Sequence, residues 1–164
     1  MRVYKQSPRR LYADVLRAIG SALDQASMRN VLLVEVDEGF IVQGHAAKDG
    51  AQRGSAPSIA REQLTFWDAD IAREMQQAVD RRGTTHAAGP YERALRVIGH
   101  RVDKEEASDV MTFEQNGSWL VRMQAMGSEL RYVLTEFTAD DILNVSDELV
   151  AGRRDAPRRR FVPW

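Results

Sequence analysis

The chain has 164 residues and no cysteine. That absence excludes disulfides, thiolate metal sites and thiol nucleophiles together, and it suits a reducing compartment. Long hydrophobic runs are missing too. The longest are strand-sized pieces such as Val31 to Val34, and the opening MRVYKQSPRRL holds charges but no apolar stretch of signal-peptide length. The expectation is a soluble cytoplasmic protein without a membrane partner.

The residues that usually carry catalysis are also scarce. Histidine occurs three times, as His45, His86 and His100. His100, with Asp103 one helical turn later, offers two metal ligands but no second histidine at helical spacing, so all three read as surface histidines. Gly50 and Gly54 lack the Gly-Lys-Ser/Thr ending of a phosphate-cradling loop, and there is no Gly-x-Ser-x-Gly nucleophile elbow. No catalytic residue, metal or cofactor is assigned, and the chain reads as non-enzymatic.

What is present is a repeat. Tyr91 to Ala125 lies on Tyr12 to Ala46 without a gap at an offset of 79, and 10 of the 35 paired positions are identical. These are Tyr12/Tyr91, Leu16/Leu95, Arg17/Arg96, Ile19/Ile98, Gly20/Gly99, Asp24/Asp103, Val31/Val110, Glu35/Glu114, Val42/Val121 and Ala46/Ala125. Roughly two matches are expected by chance, and these also keep helical and strand spacing.

Each copy opens with an amphipathic helix. Leu11, Val15, Ile19 and Leu23 form the first apolar stripe, between Arg9 and about Gln25, and Tyr91, Leu95, Ile98 and Val102 form the second. Pro8 and Pro90 precede them. Gly20 and Gly99 fall in mid-helix, where glycine costs about 1 kcal/mol against alanine, so close approach of another backbone is expected there. A hairpin follows in each copy, Val31–Val36 returning through Asp37-Glu38-Gly39 and Val110–Gln115 through Asn116-Gly117. The return strands place Phe40, Val42, Gly44 and Ala46, or Trp119, Val121, Met123 and Ala125, toward the core.

A polar loop, Ala47–Ser58, separates the second and third strands of the first copy, whereas Met126–Glu129 suffices in the second. The third strands are Ile59–Trp67 and Leu130–Phe137, with Leu64-Thr65 aligned to Leu134-Thr135. Closing helices follow, one capped by Asp68 and ended by Gly83, the other capped by Thr138 with Asp141 three residues on and ended by Gly152. The fold expected is therefore α+β, a tandem duplication of an αβββα unit. Residues 1–88 form the first repeat with an N-terminal arm, 89–152 the second, and 153–164 a basic tail. A pseudo-twofold would place both repeats in one compact domain, with helices on one face of antiparallel sheets. The order of elements in each half resembles that of the small acidic chaperones of bacterial type III secretion, which also open with an amphipathic helix followed by an antiparallel meander and a helix. The chain departs from that pattern in fusing two halves and adding the tail.

Two features remain as candidate sites. Glu35 and Glu114 occupy equivalent positions beside the hairpin turns; a two-carboxylate site is one reading, and cross-strand ion pairs with Arg61 and Arg131 are the simpler one. The tail carries Arg153, Arg154, Arg158, Arg159 and Arg160 and ends in Trp164, a local +4 that leaves −5 for the remaining residues. A solvated end, or one that folds back with Trp164 against the body, is the simpler reading of it; its arginines and aromatics also suit a partner-binding motif. The function expected is protein–protein interaction or a chaperone-like role, through the sheet edge or a groove between the halves. The alternative is nucleic-acid or polyanion binding through the tail.

Overall fold

The structure, a computed structural model, describes residues 11–48, 58–82, 88–125 and 131–155. It is α+β, with a six-stranded antiparallel sheet and four helices among the described residues. In chain order the elements are α1 (Tyr12–Gln25), β1 (Met28–Val36), β2 (Gly39–Lys48), β3 (Ser58–Trp67), α2 (Asp68–Arg82), α3 (Pro90–Lys104), β4 (Ser108–Gln115), β5 (Ser118–Ala125), β6 (Arg131–Phe137) and α4 (Ala139–Asp155). The strand order β3-β2-β1-β4-β5-β6 makes one continuous sheet.

Alternation along the strands decides which side the helices cover. Val31, Leu33 and Glu35 of β1, Phe40 and Val42 of β2, Val110 and Thr112 of β4, and Trp119, Val121 and Met123 of β5 are all buried. Their neighbours in sequence face the other way and are more exposed. The buried apolar residues of helices and strands form a single cluster. α1 and α3 pack against each other at its centre, with α2 beside α1 and α4 beside α3.

The mid-helix glycines explain how closely α1 and α3 approach. A Cβ on Gly20 would lie 2.7 Å from the carbonyl carbon of Tyr91, and one on Gly99 would lie 2.6 Å from the Cα of Ala13. Each glycine therefore faces the first turn of the other helix, as the sequence implies for a close backbone approach. Tyr91, in turn, follows Pro90 at the first helical position.

Two details were hidden from the sequence. Both central helices end without glycine: Ser27 and Glu106 take the left-handed conformation, at φ 53° and 50°. Asn30 and Asp109, at φ 50° and 59°, then form bulges that shift the register between Arg29 and Leu32 and between Ser108 and Met111. The Asn116-Gly117 turn has positive φ at both residues, as the hairpin signal requires. The first hairpin turns on Asp37-Glu38 alone, since Gly39 already pairs with Val36.

The structure corrects the third strands and their helices. Leu64 lies opposite Val42, whereas Leu134 lies opposite Arg122. The two leucines therefore face opposite sides of the sheet and are not counterparts; a one-residue slip exchanges faces. Asp68 is the first residue of α2 rather than its cap, and Asp70 instead accepts the Trp67 N–H at 3.0 Å. Thr138 and Asp141 do make the expected reciprocal cap, at 2.9 and 3.1 Å. Hydrogen bonds from the Thr138 backbone and side chain hold the Asp141 carboxyl below its usual 3.8. α4 runs past Gly152 to Asp155, because one glycine weakens a helix by about 1 kcal/mol without supplying a terminating turn. Gly83, Pro8, Leu130 and the Met126–Glu129 connection lie outside the described residues.

Gly20→Ala and Gly99→Ala should each destabilise the chain by about 1–3 kcal/mol despite alanine's better helix propensity, since the added methyl meets backbone rather than a movable side chain. Urea unfolding midpoints of the two variants check this.

Candidate functional site

The elements meet through polar groups that link one half of the sheet to the other. Asp103, at the end of α3, accepts the backbone N–H groups of Tyr12 and Ala13 at 2.9 and 3.0 Å. Asp24, at the end of α1, accepts those of Tyr91 and Glu92, both at 2.9 Å. Neither helix has a side-chain cap of its own at the preceding residue, Leu11 or Gly89, so each takes its cap from the other's last turn. Arg17 adds a charge-assisted bond to Glu92 at 2.9 Å.

The two glutamates continue this network. The Tyr12 hydroxyl donates to Glu35 Oε1 at 3.0 Å, and Val110 N–H donates to Glu35 Oε2 at 2.8 Å. The Tyr91 hydroxyl and Val31 N–H donate to Glu114 Oε2 at 3.0 and 3.3 Å, and Gly117 N–H donates to Glu114 Oε1 at 2.9 Å. β1 and β4 pair only at Leu32–Phe113, Leu33–Thr112 and Val34–Met111. Beyond each end of that short ladder a carboxylate takes the backbone donor that the bulge frees.

The expected ion pairs are therefore corrected. Glu35 and Glu114 are buried beneath the helices, at 4% and 8% exposure, while Arg61 lies in β3, across β2 from β1, and donates to Gln43 at 2.8 Å. Arg131 lies opposite Ala125 in β6 and is exposed. Every carboxylate oxygen of the two glutamates already accepts a protein donor, which fits an architectural role. Burial, with the Glu114 charge beside it, holds the Tyr91 hydroxyl far above its usual range, so it stays a donor. Asp24 is raised above 3.8, because burial outweighs its two backbone N–H bonds.

A cavity of about 750 Å³ opens between α3, the start of α4 and the junction of α1 with β1. Trp119, Met28, Ala94 and Ile142 line it with apolar surface, and Asp24, Arg29, Arg93 and Glu114 supply its charged groups. Tyr91 meets Trp119 edge to face, with ring centroids 5.7 Å apart. Glu35 is not among the lining residues, so this cavity does not join the two glutamates.

The opposite face of the sheet has no helix on it among the described residues. Leu134 is 66% exposed, Tyr132 58%, Leu120 44% and Phe113 42%. Phe113 and Leu120 are direct cross-strand neighbours, and Leu134 sits beside Arg122, whose guanidinium lies 5.1 Å from the Tyr132 ring centre. These side chains make an apolar area on β4, β5 and β6. Sequence reasoning missed it because it assigned no facing to the third strands and aligned Leu134 with the wrong residue of β3.

Of the other residues singled out by sequence, Arg153 and Arg154 fall on the last turn of α4, while Arg158, Arg159, Arg160 and Trp164 lie outside the described residues. His86 and residues 49–57 of the polar loop also lie outside them. His100 is exposed on α3, and His45 stands opposite Arg29 and Arg61. No group of three or more metal-binding side chains occurs among the described residues, and no helix there is long and apolar enough to cross a membrane. No protein-family model matches the sequence, and neither a curated protein nor a solved structure matches it.

Glu114→Ala would leave the Tyr91 hydroxyl and two backbone N–H groups without acceptors, and should lower stability by about 2–4 kcal/mol, read from chemical unfolding. Because the Asp24 carboxyl binds its proton more tightly in the folded chain, its contribution to stability is full below pH 3.8 and declines as pH rises through the folded value. Asp24→Asn removes that titration. The wild-type stability relative to this variant should therefore fall with rising pH across that window and level off above it, in thermal melts taken along a pH series.

Proposed function

We propose that this is a non-enzymatic protein that binds a polypeptide, built as a fused dimer of two αβββα units related by a pseudo-twofold between α1 and α3. The duplication accounts for hydrogen bonds that recur 79 positions apart: Asp24 to Tyr91 and Asp103 to Tyr12, Tyr12 to Glu35 and Tyr91 to Glu114. It also accounts for the paired left-handed residues Ser27/Glu106 and Asn30/Asp109.

The observation that carries the binding function is the apolar area of Phe113, Leu120, Tyr132 and Leu134 on the face without helices. A sheet face exposing adjacent large apolar side chains favours association. β6 ends the sheet, and no strand pairs with its outer edge among the described residues. An extended polypeptide added along that edge gains main-chain hydrogen bonds, and its alternate side chains pack beside Tyr132 and Leu134. Of the groove between halves, the other expected surface, the part where Gly20 and Gly99 bring α1 and α3 together and where β1 pairs with β4 is closed, which leaves the cavity beside α4, lined from both halves.

A panel of extended apolar peptides, titrated against the full chain by fluorescence anisotropy, tests this. Leu134→Asp combined with Phe113→Ser should weaken binding at least about tenfold with little change in melting temperature, because both positions are solvent-facing. Binding that survives this double variant, but is lost on competition with oligonucleotide or on ending the chain at Gly152, would replace this reading with polyanion binding by the tail.

A further inference from the structure

We infer that the cavity between α3, α4 and the α1–β1 junction is a binding site for a small amphipathic carboxylate, with its head between Arg29 and Arg93 and its apolar body against Trp119, Met28 and Ile142. The site lies on the helix side of the sheet and is separate from the polypeptide surface proposed above. At about 750 Å³ it falls within the range of pockets that enclose small organic ligands, and its lining has their usual character of apolar walls with a few polar groups.

The chemistry of the charged groups selects the ligand. The acidic residues are already engaged: Asp24 holds the N–H groups of Tyr91 and Glu92, and Glu114 holds those of Val31 and Gly117 and the Tyr91 hydroxyl. Arg29 and Arg93 have no hydrogen bond or ion pair among the described residues. Both line the cavity, in the same wall as Tyr91 and Asp24. Each guanidinium offers a planar fork of donors suited to a carboxylate. The free capacity of the site is thus cationic and directional.

The same groups argue against a dianion. The two carboxylates offset the two guanidiniums in formal charge, so a singly charged head fits where a phosphate would meet repulsion. The walls exclude a bare anion as the preferred ligand: Met28, Ala94, Trp119 and Ile142 are buried apolar residues, and Leu143 stands at the mouth, 45% exposed. Burying an apolar body there adds favourable transfer energy.

The corresponding positions at the other end of the molecule differ in the residues that matter. Seventy-nine positions from Arg29 stands Ser108, and from Arg93 stands Asp14. Phe40 replaces Trp119. The network that holds the fold together appears at both ends, whereas the pair of unengaged arginines appears at only one. A feature that the architecture does not require at both ends is free to serve a ligand.

Isothermal calorimetry of the full chain with decanoate, decanol, decyl phosphate and acetate tests the inference. Decanoate should bind at one site, and decanol, lacking the charge, and acetate, lacking the body, should each bind at least about tenfold more weakly. Decyl phosphate should be weaker than decanoate. Arg29→Gln and Arg93→Gln should each weaken decanoate about tenfold and change the melting temperature of the unliganded chain little, since neither arginine makes a hydrogen bond or ion pair among the described residues. Leu143→Glu, an exposed change at the mouth, should weaken it as well. The inference is overturned if decanol equals decanoate, if the double arginine variant keeps full affinity, or if decanoate does not bind. It is also overturned if only an apolar peptide with a free C-terminal carboxylate binds, which would make the occupant a polypeptide end.

Discussion

The fold depends on how the donors at the N-termini of α1 and α3 are satisfied. The first N–H groups of any helix have no partner within it, and here each helix takes a carboxylate from the end of the other, Asp103 for α1 and Asp24 for α3. That exchange works only if the helices are in near contact, which Gly20 and Gly99 permit. It also fixes the position of Tyr12 and Tyr91, whose hydroxyls then orient Glu35 and Glu114 onto backbone donors of the facing central strand. Helix capping and the ends of the β1–β4 ladder are thus parts of one hydrogen-bonded system.

Such a system explains why buried carboxylates are tolerated. The two glutamates are buried and Asp24 is partly so, and at least two donors satisfy each of them. For Asp24 the balance falls on the side of desolvation. Removing one partner would leave donors buried without acceptors, and that asymmetry makes the network a specificity device for the arrangement of the two halves.

With the helix–helix junction filled in this way, the two surfaces proposed for binding lie elsewhere. One is the face of the sheet where Phe113, Leu120, Tyr132 and Leu134 stay exposed, with no helix packed on it among the described residues. The other is the cavity beside α4, where Arg29 and Arg93 make no hydrogen bond or ion pair among the described residues while Asp24 and Glu114 accept several. The first is set by strand parity and the second by which side chains differ between the two ends.

Much of this was legible in the residues. The helical stripes, the two hairpins, the Asn116-Gly117 turn, the Thr138–Asp141 cap and the meaning of the mid-helix glycines all rest on local rules of spacing and conformation, which act within a few residues and so can be read along the chain. The ten matched positions include every member of the buried network, Tyr, Asp and Glu in both copies, but not what each one touches. The third strands were misaligned by one residue because the loops before them differ in length, and Leu64-Thr65 resembles Leu134-Thr135 more than its partner in register. The bulges at Asn30 and Asp109 left no mark in composition. By itself the sequence determined the elements and their order, since these follow from local periodicity and turn chemistry. Only the tertiary structure decided that Asp24 caps the opposite helix, that Glu35 and Glu114 are buried acceptors rather than surface ion pairs, and that Leu134 faces outward. Those outcomes depend on contacts between residues dozens of positions apart and on a strand register that one residue is enough to invert.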